Sequence, residues 1–172
     1  MSFFEGTSSL RWYALKVFYR RYAAICATLN RDGVEYFIPP LRPDCMLMFV
    51  RTTSDYIAFL QTVLLEKGRV VCEPGAQRPA YVSDAEIEMF RLVTSMGANE
   101  FEVVDNLSSD RLKDYCRVTE GKWKGAEGFL ARIRHRKRLV VTLGNFITVA
   151  ATDYIPIAHL ERVSLPLWKQ GA

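Results

Sequence analysis

The apolar residues of this chain follow two different spacings, and the change between them limits what it can fold into. In the first part, three segments repeat apolar residues at the i, i+3, i+4, i+7 spacing of an amphipathic helix. They are Tyr22 to Leu29, Tyr56 to Val63 and Met89 to Met96. From Leu112 onward only the alternating spacing of strands is present. The chain is therefore predicted to form two domains, a mixed one followed by one built of strands.

Short runs rich in β-branched and aromatic residues separate the helical segments. These runs span residues 12–18, 34–39, 46–50 and 70–72. Ser54 is predicted to cap the second helix, and Ser83 with Glu86 to form a capping box at the third. The predicted order is β-α-β-β-α-β-α, the ferredoxin-like plan with a closing helix. We therefore expect residues 9–98 to form a ferredoxin-like α/β sandwich.

A glycine-rich stretch, RVTEGKWKGAEG, joins two alternating runs in the second part of the chain. It matches neither GxxxxGK[ST] nor GxGxxG, so it is predicted to turn the chain and not to cradle a phosphate. Trp123 in this turn could cover the edge of a small barrel or stack on a nucleic-acid base.

Five short strands are predicted after a polar linker at residues 99–109. The alternating runs are 114–119, 128–134, 138–144, 146–156 and 159–163. Five strands are the usual content of a small barrel. Residues 110–164 are therefore predicted to form a five-stranded barrel, residues 165–172 a C-terminal tail, and the whole chain belongs to the α+β class.

Composition removes several classes of function. The formal charge of +4 comes from 23 basic and 19 acidic residues, a bias that tolerates anionic partners without requiring them. The four cysteines lack a CxxC pair, so they are interpreted as small buried apolar residues and not as a zinc or redox site.

No pattern of secretion or membrane spanning is present, so we expect a cytoplasmic protein. His135 and His159 have no nearby nucleophile or carboxylate pattern, so neither an enzyme nor a cofactor is predicted.

Several stretches together resemble the NusG family of bacterial transcription elongation factors. They are RWYALKVF, MLMFVR, EPGAQRPAYVSDAEIEMFR and RVTEGKWKGAEGFLARIRHRKRLVV, and the resemblance extends from Arg11 to Val163. RPAYVSDAEI is similar to the entry to the last helix of the family's N-terminal (NGN) domain, and GKWKGAEG is similar to a KOW motif. The short hairpin is most similar to specialised RfaH-like and UpxY-type paralogues, which control polysaccharide operons.

This resemblance implies a fold and a mode of action. It implies an NGN domain followed by an SH3-like KOW barrel, acting by binding and without a cofactor. The N-terminal domain is implied to bind RNA polymerase at its clamp helices, and the barrel to dock a ribosomal protein or a termination factor. The implied function is suppression of pausing or termination at particular operons.

The family's polymerase-facing pocket lies at the end of the first strand and on the central hairpin. Position by position, the resemblance implies the residues Val17, Phe18, Leu47 and Phe49. The alternative is plain core, since a strand in a two-layer domain buries one face in any case. The sequence departs from the family here, because Cys45, Met46 and Leu47 stand where proline and tyrosine are expected.

Two sets of cations are candidates for contact with nucleic acid. RfaH-like relatives contact the displaced DNA strand at positions that match Arg20, Arg21 and Lys67, although a solvated charged face would look the same. In the barrel, the resemblance and the charge run indicate a KOW motif and a basic hairpin that could contact RNA or a ribosomal surface, or serve solubility alone. Their residues are Gly121, Trp123, Gly125, Gly128, Arg132, Arg134, Arg136, Lys137 and Arg138.

The main alternative function is an RNA- or ribosome-binding protein without a polymerase role. A ferredoxin-like plan also underlies RNA-recognition domains, but in MLMFVRT only Phe49 and Val50 fit the stacking strand of such a domain. A third possibility is an adaptor whose barrel can refold, against which the β-branched strands argue.

Overall fold

The structure is a computed structural model that describes residues 9–40, 46–97, 99–105, 107–152 and 154–170. Cys45, one of the residues where the sequence departs from the family, lies outside the described residues. The chain divides into two compact units, of which the first ends at Asp84 and the second begins at Ala85.

The first unit contains an antiparallel sheet and two helices. Its elements are β1 (Arg11–Val17), α1 (Tyr22–Arg31), β2 (Glu35–Phe37), β3 (Leu47–Thr52), α2 (Ser54–Leu64), β4 (Gly68–Val70) and β5 (Tyr81–Val82). The strand order is β2-β3-β1-β4, and β5 also pairs with β1. The predicted order of elements through β4 is confirmed. The two-residue strand β5 was not predicted, because two residues are too few to show a period.

Both faces of this sheet are buried. On one face Leu15 and Val17 of β1 pack with Ile25 of α1 and Ile57 of α2 in a single apolar cluster. Side chains alternate along a strand, so Ala14 of β1 and Phe49 of β3 point to the opposite face, where they are register partners with no exposed surface. This second buried face explains why β1 is almost continuously apolar.

Helix α2 begins with a cap that differs from the predicted one by one residue. The hydroxyl of Thr53, not that of Ser54, accepts a hydrogen bond from the backbone N–H of Tyr56 at 3.2 Å. Thr53 has the extended backbone that a cap needs, with φ −87° and ψ 161°. The hydroxyl of Tyr56, in the first turn of α2, donates a hydrogen bond to Asp32 at 2.7 Å, which joins α2 to the end of α1.

The second unit is built on an antiparallel sheet of six strands. Its elements are α3 (Asp84–Thr94), β6 (Phe101–Val103), β7 (Lys113–Val118), β8 (Glu127–Ile133), β9 (Arg136–Leu143), β10 (Ile147–Ala151), β11 (Leu160–Arg162) and α4 (Leu167–Gln170), with α3 starting on the last residue of the first unit. The strand order is β11-β7-β8-β9-β10-β6. All five predicted strands are present, and the structure adds β6 and α4 to them.

Strand β6 lies inside the segment that the sequence predicts to be a linker. Phe101 pairs with Ala151 and Val103 with Val149, so this segment extends the sheet beside β10. The five predicted strands are therefore joined in their sheet by a sixth, β6, which the sequence did not predict. A run of three residues between polar neighbours shows no period, and only its partner strand makes it a strand.

Helix α3 contacts the second sheet through polar groups. Glu86 Oε1 accepts a hydrogen bond from the Gly144 N–H at 3.2 Å, and the sulfur of Met89 accepts one from the Glu127 N–H at 3.1 Å. The ammonium of Lys169 in α4 lies 3.5 Å from the same Glu86 oxygen, and burial lowers the pKa of Lys169, an effect that Glu86 opposes. The compact units accordingly divide before this helix, whereas the sequence predicts a domain limit near residue 98.

Candidate functional site

A tight turn follows β1 and carries two of the predicted nucleic-acid-binding residues. The Arg21 N–H donates to the Phe18 carbonyl at 3.0 Å, and the two residues between them, Tyr19 and Arg20, have φ angles of 52° and 55°. Left-handed backbone costs about 1–2 kcal/mol for a residue with a Cβ. This strained turn holds Tyr19, Arg20 and Arg21 exposed to solvent.

The same turn is bonded to the segment that carries Lys67. The Phe18 N–H donates to the Lys67 carbonyl at 2.8 Å, just before β4 begins. Lys67 ends a short 3₁₀ turn whose first residue, Leu65, is 77% exposed, and Tyr19 is 84% exposed. The structure therefore brings Arg20, Arg21 and Lys67 to one end of the first sheet, beside two exposed apolar side chains. Neither apolar residue was among the predicted site residues, because exposure of a large apolar side chain cannot be read from its spacing.

The four residues predicted to face polymerase are placed in different environments. Val17 belongs to the apolar cluster beneath the helices, and Phe49 has no exposed surface. Phe18 and Leu47 are only partly buried. In this conformation a partner can therefore reach Phe18 and Leu47 but not Val17 or Phe49.

The glycine-rich turn between β7 and β8 folds on its own backbone. Gly121 and Gly125 have φ angles of 87° and 91°, which favour glycine, and the Gly125 N–H donates to the Val118 carbonyl at 2.8 Å. Trp123 is 3% exposed, so its ring is unavailable to a base. Of the two interpretations of Trp123, the structure favours the packing role.

Gly128 is required by a close approach of two strands. A Cβ at this position would lie 2.4 Å from the carbonyl oxygen of Val140 on β9. This residue of the predicted KOW motif therefore has a structural role.

The basic hairpin is formed by β8 and β9, with Ile133 opposite Arg136. Its two turn residues, Arg134 and His135, have φ angles of 51° and 70° and are exposed. Two-residue turns with this backbone strongly prefer Asn-Gly. Arginine and histidine at these positions make the turn less stable than Asn-Gly would, and their side chains are exposed at the tip.

Arg138 differs from the other cations of the hairpin. Its Nε donates to the Ala151 carbonyl at 2.6 Å, and its terminal nitrogen donates to Glu102 at 2.5 Å. Its side chain is only 10% exposed. Arg138 therefore links β9, β10 and β6 and is not available to a partner, whereas Arg132, Arg134, Arg136 and Lys137 are exposed. The sequence could not show this role, because Glu102 lies in the strand that was interpreted as linker.

Other kinds of site find no support among the described residues. No group of three His, Cys, Asp or Glu side chains there is arranged to hold a metal ion. Cys26 and Cys72 are partly exposed and Cys116 is buried, so of the three cysteines that the structure describes only Cys116 fits the expectation of a buried apolar residue. In the same part of the chain, no helix has both the length and the apolar character needed to cross a bilayer.

Comparison with known proteins gives similarity to solved structures alone. No family model matches the chain, and no curated protein matches it. A structure of NusG from Thermotoga maritima, described for its domain interaction, is similar at 14% identity and a TM-score of 0.49, covering 91% of this chain and 98% of that one. A structure of the MjSpt4:Spt5 complex is similar at 14% identity and a TM-score of 0.30, covering 89% of this chain and 98% of that one.

Proposed function

We propose that this chain is a NusG-like transcription elongation factor that binds RNA polymerase and suppresses pausing or termination at particular operons, such as those for polysaccharides. In this proposal residues 9–98 form the NGN domain and residues 110–164 the KOW domain. The protein acts by binding and without turnover. Support comes from the stretches that resemble the family and from the arrangement of the first unit.

The observation that carries the proposal is the surface at the end of the first sheet. The hydrogen bond from Phe18 to Lys67 places the turn with Arg20 and Arg21 next to Lys67. Cations that lie beside an exposed aromatic ring suit a single nucleic-acid strand, since phosphates bind the cations and a base stacks on the ring. Tyr19, 84% exposed, offers such a ring. This is the surface with which a factor on polymerase would contact a displaced DNA strand.

The contact with polymerase is assigned to Phe18 and Leu47. Both side chains are partly exposed, and Leu47 is the register partner of Lys16 on β1. Leu47 and Phe49 share a face of β3, since they are two residues apart. Phe49 supports this surface from beneath, and it would contact polymerase only after a rearrangement that exposes it.

A pull-down from nuclease-treated lysate tests the proposal. Tagged full-length protein should retain RNA polymerase subunits after all nucleic acid has been digested, because the contact is between proteins. A matched Leu47→Asp variant removes an apolar anchor and brings a charge to the contact, so its loss of polymerase should be much larger than its fall in melting temperature. Failure of the unaltered protein to retain polymerase would contradict the proposal.

The alternative is an RNA- or ribosome-binding protein without a polymerase role, and the exposed basic hairpin favours it. Arg134 and His135 occupy a strained turn at its tip, which is expected where a function requires those side chains. Recognition through an RNA-recognition strand is disfavoured, because Phe49 is fully buried and cannot stack on a base. Retention of ribosomal proteins without polymerase in the same pull-down would favour this alternative.

A further inference from the structure

A cleft of about 400 Å³ opens on the second unit beside the basic hairpin. It lies between the 3₁₀ turn Ser109–Arg111 and strands β7, β8 and β9. Four cations line it: Arg111, Lys113, Arg132 and Lys137. Arg111 and Lys113 were not among the predicted site residues, because they lie before the charge run and reach the hairpin only through strand pairing.

Two of these cations face each other across the paired strands β8 and β9. Arg132 and Lys137 are direct register partners on β8 and β9. Like charges that face each other across two strands destabilise a sheet. No described carboxylate lies within ion-pair distance of Arg132, Lys137 or Lys113. A bound anion would remove this repulsion.

The Arg111 side chain is held in place before any ligand arrives. Its terminal nitrogen donates a hydrogen bond to the Arg132 carbonyl at 2.7 Å, which fixes the guanidinium against β8. A preorganised guanidinium loses less conformational freedom on binding than a mobile one. It can donate its remaining N–H groups to a phosphate in two parallel bonds.

The floor of the cleft is apolar and lacks a ring. Its exposed apolar surface comes from Leu130, because Ala131 points to the opposite face of β8 and is 2% exposed. Stacking on bases needs an aromatic side chain, so the cleft offers no means of distinguishing bases. It can contact sugars on the floor and phosphates at the cations.

Two carboxylates also line the cleft, and each has its own partner. Asp114 is paired with Arg162 at 2.9 Å. A hydrogen bond from the Ser108 hydroxyl is the main cause that lowers the pKa of Asp110, and Lys113 and Arg111 contribute less. Asp110 therefore stays ionised at neutral pH and opposes an anion in the cleft.

We propose that this cleft binds the phosphodiester backbone of a single-stranded nucleic acid without regard to sequence. Lys113, Arg132 and Lys137 contact successive phosphates, and Arg111 binds one of them through its fixed guanidinium. The site is independent of the surface on the first unit and goes beyond the proposed contact with polymerase.

The test is a salt titration of binding by the full chain, using a fluorescent oligouridylate and a deoxyoligothymidylate of equal length. For single strands, each lost phosphate contact reduces the slope of log K against log salt by about 0.7. Lys113→Gln/Lys137→Gln should therefore bind both strands more weakly, with a clearly shallower slope. The control Lys124→Gln/Arg78→Gln removes the same charge from an exposed turn and from a surface ion pair with Glu73, and should keep the slope.

A second variant is expected to increase affinity, so that loss of fold cannot explain the change in binding. Asp110→Asn removes the carboxylate that opposes an anion, so it should bind both oligonucleotides more tightly than the unaltered protein. Binding of the deoxy strand only would show a preference for DNA, and equal binding of both strands would show no preference. Either result supports the site.

Three outcomes would overturn the site. They are equal slopes for the cleft variant and its control, unchanged affinity in Asp110→Asn, and polyglutamate binding that depends on Lys113 and Lys137 as strongly as nucleic-acid binding does. Polymerase retention by Lys113→Gln/Lys137→Gln should equal that of the unaltered protein. Failure of the cleft and failure of the proposed function are therefore separate results.

Discussion

The backbone N–H of Phe18 lies 2.8 Å from the carbonyl oxygen of Lys67 and donates a hydrogen bond to it. This bond holds the turn after β1 against the turn before β4. It joins residues that are far apart in the sequence, so their shared position at one end of the sheet is a product of folding. The consequence is that the exposed Arg20 and Arg21 lie on a turn bonded to the segment that carries Lys67.

Replacing Arg20 and Arg21 by alanine should weaken binding of the polymerase complex to single-stranded DNA. If each arginine contacts one phosphate, the salt slope should fall by about 0.7 for each. The melting temperature should change little, because both residues are exposed and Arg21 makes no side-chain bond as the cap of α1. Crosslinking to DNA measured against salt checks this, with Arg31→Ala/Arg78→Ala as a control of equal charge. Unchanged crosslinking would show that these arginines are only part of a solvated charged face.

Phe49 and Leu47 should separate stability from polymerase binding. Phe49→Ala should lower the free energy of unfolding by about 3–5 kcal/mol, because the ring has no exposed surface. Leu47→Ala, on the same face of β3 but partly exposed, should cost less stability and lose more polymerase. Urea unfolding and the pull-down must be measured on both variants. Full polymerase retention by Leu47→Ala would place the contact elsewhere.

The two residues at the tip of the basic hairpin should lower the stability of the turn and increase the affinity for nucleic acid. Arg134→Asn/His135→Gly introduces the turn residues that its backbone prefers, so it should stabilise the protein by roughly 1 kcal/mol. It also removes exposed positive charge, so affinity for single-stranded RNA should fall. His135→Gly alone relieves backbone strain while it keeps Arg134, and it should gain stability with little loss of affinity. A double variant that loses stability would show that the turn is not strained as described.

Gly128→Ala should disrupt the pairing of β8 with β9. Its Cβ would lie 2.4 Å from the Val140 carbonyl oxygen, so one strand must move away from the other. The expected loss is about 1–3 kcal/mol, the usual cost of overpacking. The control is Gly75→Ala, where no atom lies within 4 Å of the new Cβ and only the backbone angle of +74° is unfavourable. Thermal unfolding of both variants measures the two losses of stability. Equal losses would show that the close approach to Val140 is not the reason for glycine at position 128.

Tyr56 should make the protein less stable at alkaline pH. Burial and then the hydrogen bond to Asp32 raise the pKa of Tyr56 above its usual value of 10.0. The unfolded chain therefore releases the phenol proton first, so this contribution to stability is complete below pH 10 and is lost as the pH rises above it. The fall in unfolding free energy above pH 10 should be smaller in Tyr56→Phe. Tyr81→Phe, at a position that is 45% exposed, should keep the full fall.

The sequence alone was sufficient for the elements whose patterns are long. Apolar periodicity predicted helices α1, α2 and α3, the order of elements through β4 and the five longer strands of the second sheet. Such a period can be detected wherever one face of an element is buried over two or more turns or pleats. The charge run around Arg134 and His135 likewise indicated an exposed hairpin tip, because so many adjacent cations cannot be buried together.

Tertiary structure decided which of these residues are accessible and which elements belong together. Strand β6 exists because β10 offers it a partner, and its Glu102 then binds Arg138, which removes that arginine from the predicted binding surface. The same kind of long-range pairing places Lys113 beside Arg132 and Lys137, buries Trp123, and joins α3 to the second sheet through Glu86 and Gly144. A sequence pattern records the environment of neighbours along the chain, whereas these contacts depend on which strand or helix lies opposite. That choice is made by the total free energy of the packed chain and not by any local stretch of it.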